Sequence, residues 1–233
     1  MSFSRLALAA LFSMLPAFAI AQSNPVVVEL YTSQGCSSCP PADGLMHDLA
    51  KRDDVIALAL HVDYWDYIGW KDQFASPEHT ARQKAYAFEA GRRMIYTPQM
   101  IVNGQDDVVG ARSMQLAELI MTHSARPLQV DLNVVRSNGV VTVKASPIGR
   151  LGSGTLDIHL VRFMPERTVK ITRGENAGKT LSYANIVESW QVIGQWNGRA
   201  PIEIDANLTD GDPAAILVQH QGPGAIVAAL KLD

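Results

Sequence analysis

The sequence predicts an α/β chain in two parts: a domain of order β-α-β-α-β-β-α over residues 22–125, then a β-rich, sandwich-like domain over 126–233. Three observations carry this. Apolar runs of strand length alternate with helix-period segments in the first half. An Asn103-Gly104 pair, a strong hairpin signal, separates two short strands near the end of that half. From Arg126 onward only strand-like runs and turn signals follow.

The chain opens with Arg5 ahead of an apolar run and the small-x-small site Ala19-Ile20-Ala21 before Gln22, the layout of a secretory signal peptide. The run is short for a bilayer span, so the expectation is export to the periplasm or beyond, cleavage after Ala21 and no lasting membrane insertion. "NPVVVELYTS" then reads as a β-branched strand, and "ADGLMHDLAKRD" sets Ala42, Leu45 and Leu49 on one helical face. "DVIALALHV" is apolar without strict alternation, which suits a strand covered on both sides in a parallel sheet.

Ser76, Pro77 and Glu78 supply an N-cap, a first-turn proline and an acid for a helix expected to run to about Met94. Met100 to Val102 and Asp107 to Val109 form a hairpin around Asn103-Gly104, and Ser113 is expected to cap a last helix carrying Leu116, Leu119 and Ile120. Parallel strands need a helical crossover and the tight turn makes the last pair antiparallel. After a boundary at Pro127, the strand-like runs are a hairpin at Asn138-Gly139, "TLDIHLVRFM", "NIVESWQVIGQW", "PIEIDA", "AAILVQH" and "AIVAALKL".

Hydrophobic residues make up 47% of the chain, as in folded proteins, and the formal charge is −3 without any basic block. Nucleic-acid binding requires an electrostatic footprint that this sequence lacks. There is no phosphate-binding glycine loop, no G-x-S-x-G elbow, no H-E-x-x-H pair and no second cysteine pair for a tetrahedral zinc site.

The chemistry-bearing stretch is "TSQGCSSCPPADG", which holds both cysteines, Cys36 and Cys39, between the first strand and its helix. Two residues on a turn bring one thiol close enough to resolve a mixed disulfide formed by the other. A helix N-terminus favours a thiolate, so Cys36 is the expected attacker and Cys39 the resolver. Pro40 and Pro41 lack N–H groups and weaken that effect, while the Ser37 and Ser38 hydroxyls can offset it. No bound cofactor is needed. The partners would be protein thiols or disulfides. Two other readings stay open: copper capture with His61 or His123 as a third ligand, and a non-catalytic peptide-binding module carrying a structural disulfide.

Strand, Cys-x-x-Cys and helix, with Thr97-Pro98 before the third strand and an Asn-Gly hairpin after it, resembles the thioredoxin-like fold, and "TPQMIVNGQDDVVG" is similar to the corresponding stretch of glutaredoxins. More closely, "LYTSQGCSSCPPAD", "HVDYWDYIGWKDQFASPEHTARQKAYA" and "GENAGKTLSYANIVESW" resemble exported thioredoxin-like proteins catalogued as domain of unknown function 1223. The resemblance implies a thiol–disulfide oxidoreductase. It implies that Glu29 is a buried acid beneath the cysteines, able to accept the Cys39 proton, and that Pro98 is cis, with Thr97 pairing to an extended substrate strand.

"HVDYWDYIGW" follows the second strand at the ligand-binding edge of an open α/β sheet, so Tyr64, Trp65, Tyr67 and Trp70 are candidates to line a substrate groove. Arg173, Glu175, Lys179 and Tyr183 are expected on a solvated loop and strand edge, with no catalytic role.

Overall fold

In β1 (Val26–Thr32) successive side chains point to opposite faces, and every residue is buried, so the strand must be covered on both sides. A computed structural model describes residues 24–209, 211–222 and 224–232; the expected signal peptide over residues 1–21 lies outside them. β1 pairs in parallel with β2 (Val55–His61), Thr32 opposite His61, and antiparallel with β3 (Gln99–Val102), which turns at Asn103-Gly104 into β4 (Asp106–Val109). Both turn residues have positive φ, 45° and 68°, and the Gln105 amide closes the turn on the Val102 carbonyl at 3.0 Å, a three-residue connection between the paired Val102 and Asp106.

Helices α1 (Pro40–Leu49) and α3 (Ser113–Ser124) cover the face of Val26, Val28, Leu30, Ala57 and Ala59, where Met46, Leu116 and Ile120 close the core. Helix α2 (Pro77–Glu89) covers the other face through Tyr86, against Val27, Tyr31, Ile56 and Leu58. The β-α-β-α-β-β-α order is present as expected. Ser76 caps α2 by accepting from the Glu78 amide at 3.1 Å. The helix stops short of Met94 because Gly91, at φ 66°, takes the left-handed C′ position, and the Gly91 and Arg92 amides return to the Phe88 and Ala87 carbonyls. Ser113 is not a cap. It is the first residue of α3, and Arg112 precedes it without a side-chain cap.

The second half is β-rich: β5 (Val130–Ser137), β6 (Val140–Pro147), β7 (Leu156–Lys170), β8 (Thr180–Trp196), β9 (Ile202–Asn207), β10 (Ala214–His220) and β11 (Ile226–Leu232). β5, β6 and β9 form a three-stranded sheet stacked through Leu132, Val141 and Val143 on Leu156, Ile158, Ile216 and Val218, a sandwich-like arrangement.

The larger sheet runs β11-β10-β7-β8-β2-β1-β3-β4, so its ladder continues across residue 126, with Ile186 of β8 beside Ala59 of β2. β7 and β8 extend beyond the expected ends at Met164 and Asn185. Pro165 and left-handed Asn185 lie opposite one another, between the pairs Met164–Ile186 and Glu166–Ala184, and the ladder resumes past them. Asn185 turns this irregularity to use, donating its side-chain amide to the Ala57 carbonyl at 2.9 Å.

Candidate active site

Cys36 and Cys39 are joined by a disulfide, Cα to Cα 5.4 Å, in the loop that leads from β1 into α1. Cys39 is the N-cap. The prolines at the first two helical positions forfeit nothing, since first-turn N–H groups have no intrahelical acceptor, and the Ala42 and Asp43 amides bond the Cys39 carbonyl at 2.8 and 3.0 Å. Those amides are therefore spent, and the Cys36 sulfur has the Ser38 hydroxyl at 3.4 Å. Both cysteines are 0% exposed, while Ser37 and Ser38 between them face solvent.

Two segments pack on the cysteine loop. Gly35 packs so closely under the 63–70 segment that a Cβ there would meet Ile68 and Trp65 at 3.1 Å. Trp70 donates its indole N–H to Gln34 Oε1 at 2.8 Å, and Trp65 donates to the Thr97 hydroxyl at 2.8 Å. From the second half of the chain, the buried Asn176 amide donates to the Gln34 and Cys36 carbonyls, each at 2.9 Å, and Glu175 accepts from the Ser37 amide at 3.3 Å. The Thr97–Pro98 peptide bond is cis, the form the resemblance implies.

Beneath the loop lies a polar layer on the α1 face of the sheet. Thr32 Oγ1 donates to Asp43 Oδ1 at 2.7 Å. On the neighbouring strand His61 is fully buried, its Nδ1 2.7 Å from Asp72 Oδ2, with Phe74 and Tyr183 edge-on to the imidazole. Burial opposes the Asp72 charge, yet His61 and the Gln34 and Phe74 amides hold its carboxyl below the usual range. Burial pushes Asp43 up to about 7, against the pull of His61 and the Thr32 hydroxyl.

The sequence matches the model of a family described as "Protein of unknown function (DUF1223)" over residues 27–219. The chain belongs to the DUF1223 family. A crystal structure of an Agrobacterium tumefaciens protein is similar to this DUF1223 chain at 35% identity, over 91% of this chain and 96% of that one, with a TM-score of 0.77. HBP35 of Porphyromonas gingivalis shares the fold at 15% identity, over 90% of this chain and 75% of that one, with a TM-score of 0.63. No curated protein matches.

In this DUF1223 protein the structure gathers Cys36, Cys39, Trp65, Thr97 and Pro98, and leaves Glu29 elsewhere. Glu29 is buried, as expected, but it alternates with Val28 and Leu30 and so points to the α2 face, away from α1. There Arg82 grips both carboxylate oxygens at 2.7 and 2.9 Å, and Tyr86 and Tyr31 donate at 2.7 and 3.0 Å. This corrects its expected place beneath the cysteines.

The expected aromatic groove is closed rather than open. Tyr64 bonds Gln83 at 3.2 Å, Trp65 and Trp70 bond as above, and Tyr67 alone of the four stands largely in solvent. His123 lies at the far end of β1, between Asn103, which binds the Val27 amide, and Asp106 Oδ2 at 2.8 Å. It does not join the cysteines, and among the described residues no group of three or more His, Cys, Asp or Glu side chains could hold a metal ion.

Arg173, Glu175 and Lys179 are exposed, as expected of a solvated loop, but Tyr183 is buried, and between them the Asn176 side-chain amide donates to the carbonyls of the cysteine loop. Asp43, Asp72 and Asn176 were not singled out in the sequence. One signal was available: Asp43 stands four residues after Cys39, one helical turn on.

Proposed function

We propose that this protein is an exported thiol–disulfide oxidoreductase of the thioredoxin-like type, which exchanges disulfides with protein thiols through Cys36 and Cys39. The observation that carries this reading is the oxidised Cys36–Cys39 pair set at the N-terminus of α1, with Cys39 as N-cap. A thiolate at Cys36 would lie at the positive end of the helix dipole beside the Ser38 hydroxyl, and Cys39 is placed to resolve the mixed disulfide. Residues 22–125 carry the chemistry on this reading, and residues 126–233 supply the segment that clamps the cysteine loop. Thr97 and Pro98, with Tyr64 and Trp65, line the path of an extended substrate strand, which enters once Trp65 leaves Thr97. The exchange itself requires no cofactor.

The burial of both sulfurs favours a second reading, a structural disulfide in a non-catalytic peptide-binding module. Incubating a Cys39→Ser variant with an oxidised protein such as insulin separates the two. Exchange predicts a mixed disulfide at Cys36 that dithiothreitol releases. Absence of any adduct, with Cys36 equally unreactive towards small disulfides, would leave the structural reading.

A further inference from the structure

Among the described residues, the buried Asp43 Oδ2, His61 Nε2 and Tyr183 hydroxyl by the cysteine loop have no hydrogen-bond partner, and neither has Gln34 Nε2 within the loop. Unpaired buried polar groups are costly, and their concentration beneath a disulfide points to use. Thr32, which holds Asp43 Oδ1, is in register with His61, so the imidazole lies on the adjacent strand and on the same face. Asp72 holds His61 through Nδ1 at 2.7 Å, which leaves Nε2 as the imidazole's unpartnered nitrogen. Asp43 follows Cys39 by four residues in a continuous helical hydrogen-bond pattern, and helical side chains lean towards the N-terminus, which aims the Asp43 carboxyl at Cys39.

We propose that Asp43 takes up the Cys39 thiol proton when the mixed disulfide is resolved, with Thr32, His61 and Asp72 as positioning residues. The proposal rests on the exchange reading above. In the step, the Cys39 S–H proton passes to Asp43 Oδ2 and the sulfur electron pair forms the bond to Cys36 Sγ. The bond from Cys36 Sγ to the substrate sulfur breaks, and the substrate leaves as a thiolate that takes a proton from water. The two cysteines lose two electrons and the substrate disulfide gains them. In the reverse direction Asp43 returns the proton to Cys39.

The groups facing Asp43 are Thr32 on β1, His61 on β2 with Asp72 behind it, Tyr183 on β8, and His47 one turn along α1. Burial brings the Asp43 carboxyl to about 7, where it exchanges protons near neutral pH, as a general base must.

The test is stopped-flow mixing of the reduced protein with excess 5,5′-dithiobis(2-nitrobenzoate), which releases one nitrothiobenzoate when Cys36 attacks and a second when Cys39 resolves. Asp43→Asn is expected to leave the first phase within about twofold and to slow the second about a hundredfold at pH 7. In the wild type the second phase rises with pH through an inflection near neutrality. His61→Gln moves that inflection to higher pH, because the imidazole pulls the carboxyl down.

A second phase unchanged by Asp43→Asn, or a wild-type profile that follows thiol ionisation alone, overturns the proposal. Should Asp43→Asn not fold, the wild-type and His61→Gln profiles decide. Absence of even the first phase in the wild type overturns the exchange reading, and this proposal with it.

Discussion

The Trp65 indole N–H donates to the Thr97 hydroxyl at 2.8 Å, closing the 63–70 segment over the residue that precedes the cis proline. The same segment packs on Gly35 of the cysteine loop, and both cysteines are buried, so on the exchange reading a reductant gains access when the segment opens. A net hydrogen bond of about 1 kcal/mol corresponds to about fivefold in the open population. Trp65→Phe is therefore predicted to speed reduction of the disulfide by dithiothreitol about fivefold, measured by quenched thiol alkylation. An unchanged rate would mean that the Trp65 contact does not gate access.

Asn176 ties the second half of the chain to the cysteine loop through the Gln34 and Cys36 carbonyls. Asn176→Ala leaves the Gln34 carbonyl without that donor, at about 1 to 3 kcal/mol, and the Cys36 carbonyl with only the Cys39 amide at 3.3 Å. The expected result is a lower urea midpoint for the oxidised protein together with faster thiol labelling of Cys36 in the reduced one. Asn176→Asp, which offers only acceptors when ionised, should not rescue either property.

Glu29 and Arg82 form a buried pair that joins β1 to α2, and Arg82 reaches further to Gln219 on β10 and stacks 3.8 Å from the Trp190 ring centroid. Breaking such a pair from one side costs about 3 to 5 kcal/mol, because a charge is left buried and alone. Glu29→Gln is predicted to lower stability by that order in denaturant titrations while leaving the rate of disulfide exchange per folded molecule unchanged.

Asp43 carries a pH signature of its own. Its carboxyl is raised in the folded protein to about 7 from an ordinary value of 3.8, so the native state holds this proton more tightly than the unfolded chain does. The resulting stabilisation is complete below about pH 3.8 and declines as pH rises towards about 7, above which it is spent. Asp43→Asn, neutral at every pH, is predicted to gain on the wild type across that interval. Denaturation midpoints of the two oxidised proteins at pH 4, 6 and 8 measure the gap; a gap constant with pH would contradict the assignment.

Local chemistry was legible in the sequence where a residue acts on its neighbours. Asn103-Gly104 made its hairpin and Ser76-Pro77 started its helix, because turn and cap preferences are decided within a few residues. Cys36 and Cys39 were legible for the same reason. Asn176 was not, since its contact with Cys36 spans 140 residues and follows no local pattern. Glu29 was half legible: an acid inside "VVVELY" signals a buried partner, but the strand's alternation names two faces without saying which one lies under the cysteines. His61 ends an apolar strand, and nothing local announces Asp72 eleven residues later as its partner.

The central claim is that Cys36 and Cys39 exchange disulfides with other proteins, and the reduction potential of the pair tests it most directly. The protein is equilibrated with glutathione buffers of known ratio, free thiols are trapped, and Cys36→Ser serves as the control. The account predicts a reversible midpoint between about −270 and −120 mV, the span of thiol–disulfide oxidoreductases. A midpoint below about −300 mV, where structural disulfides lie, would contradict it.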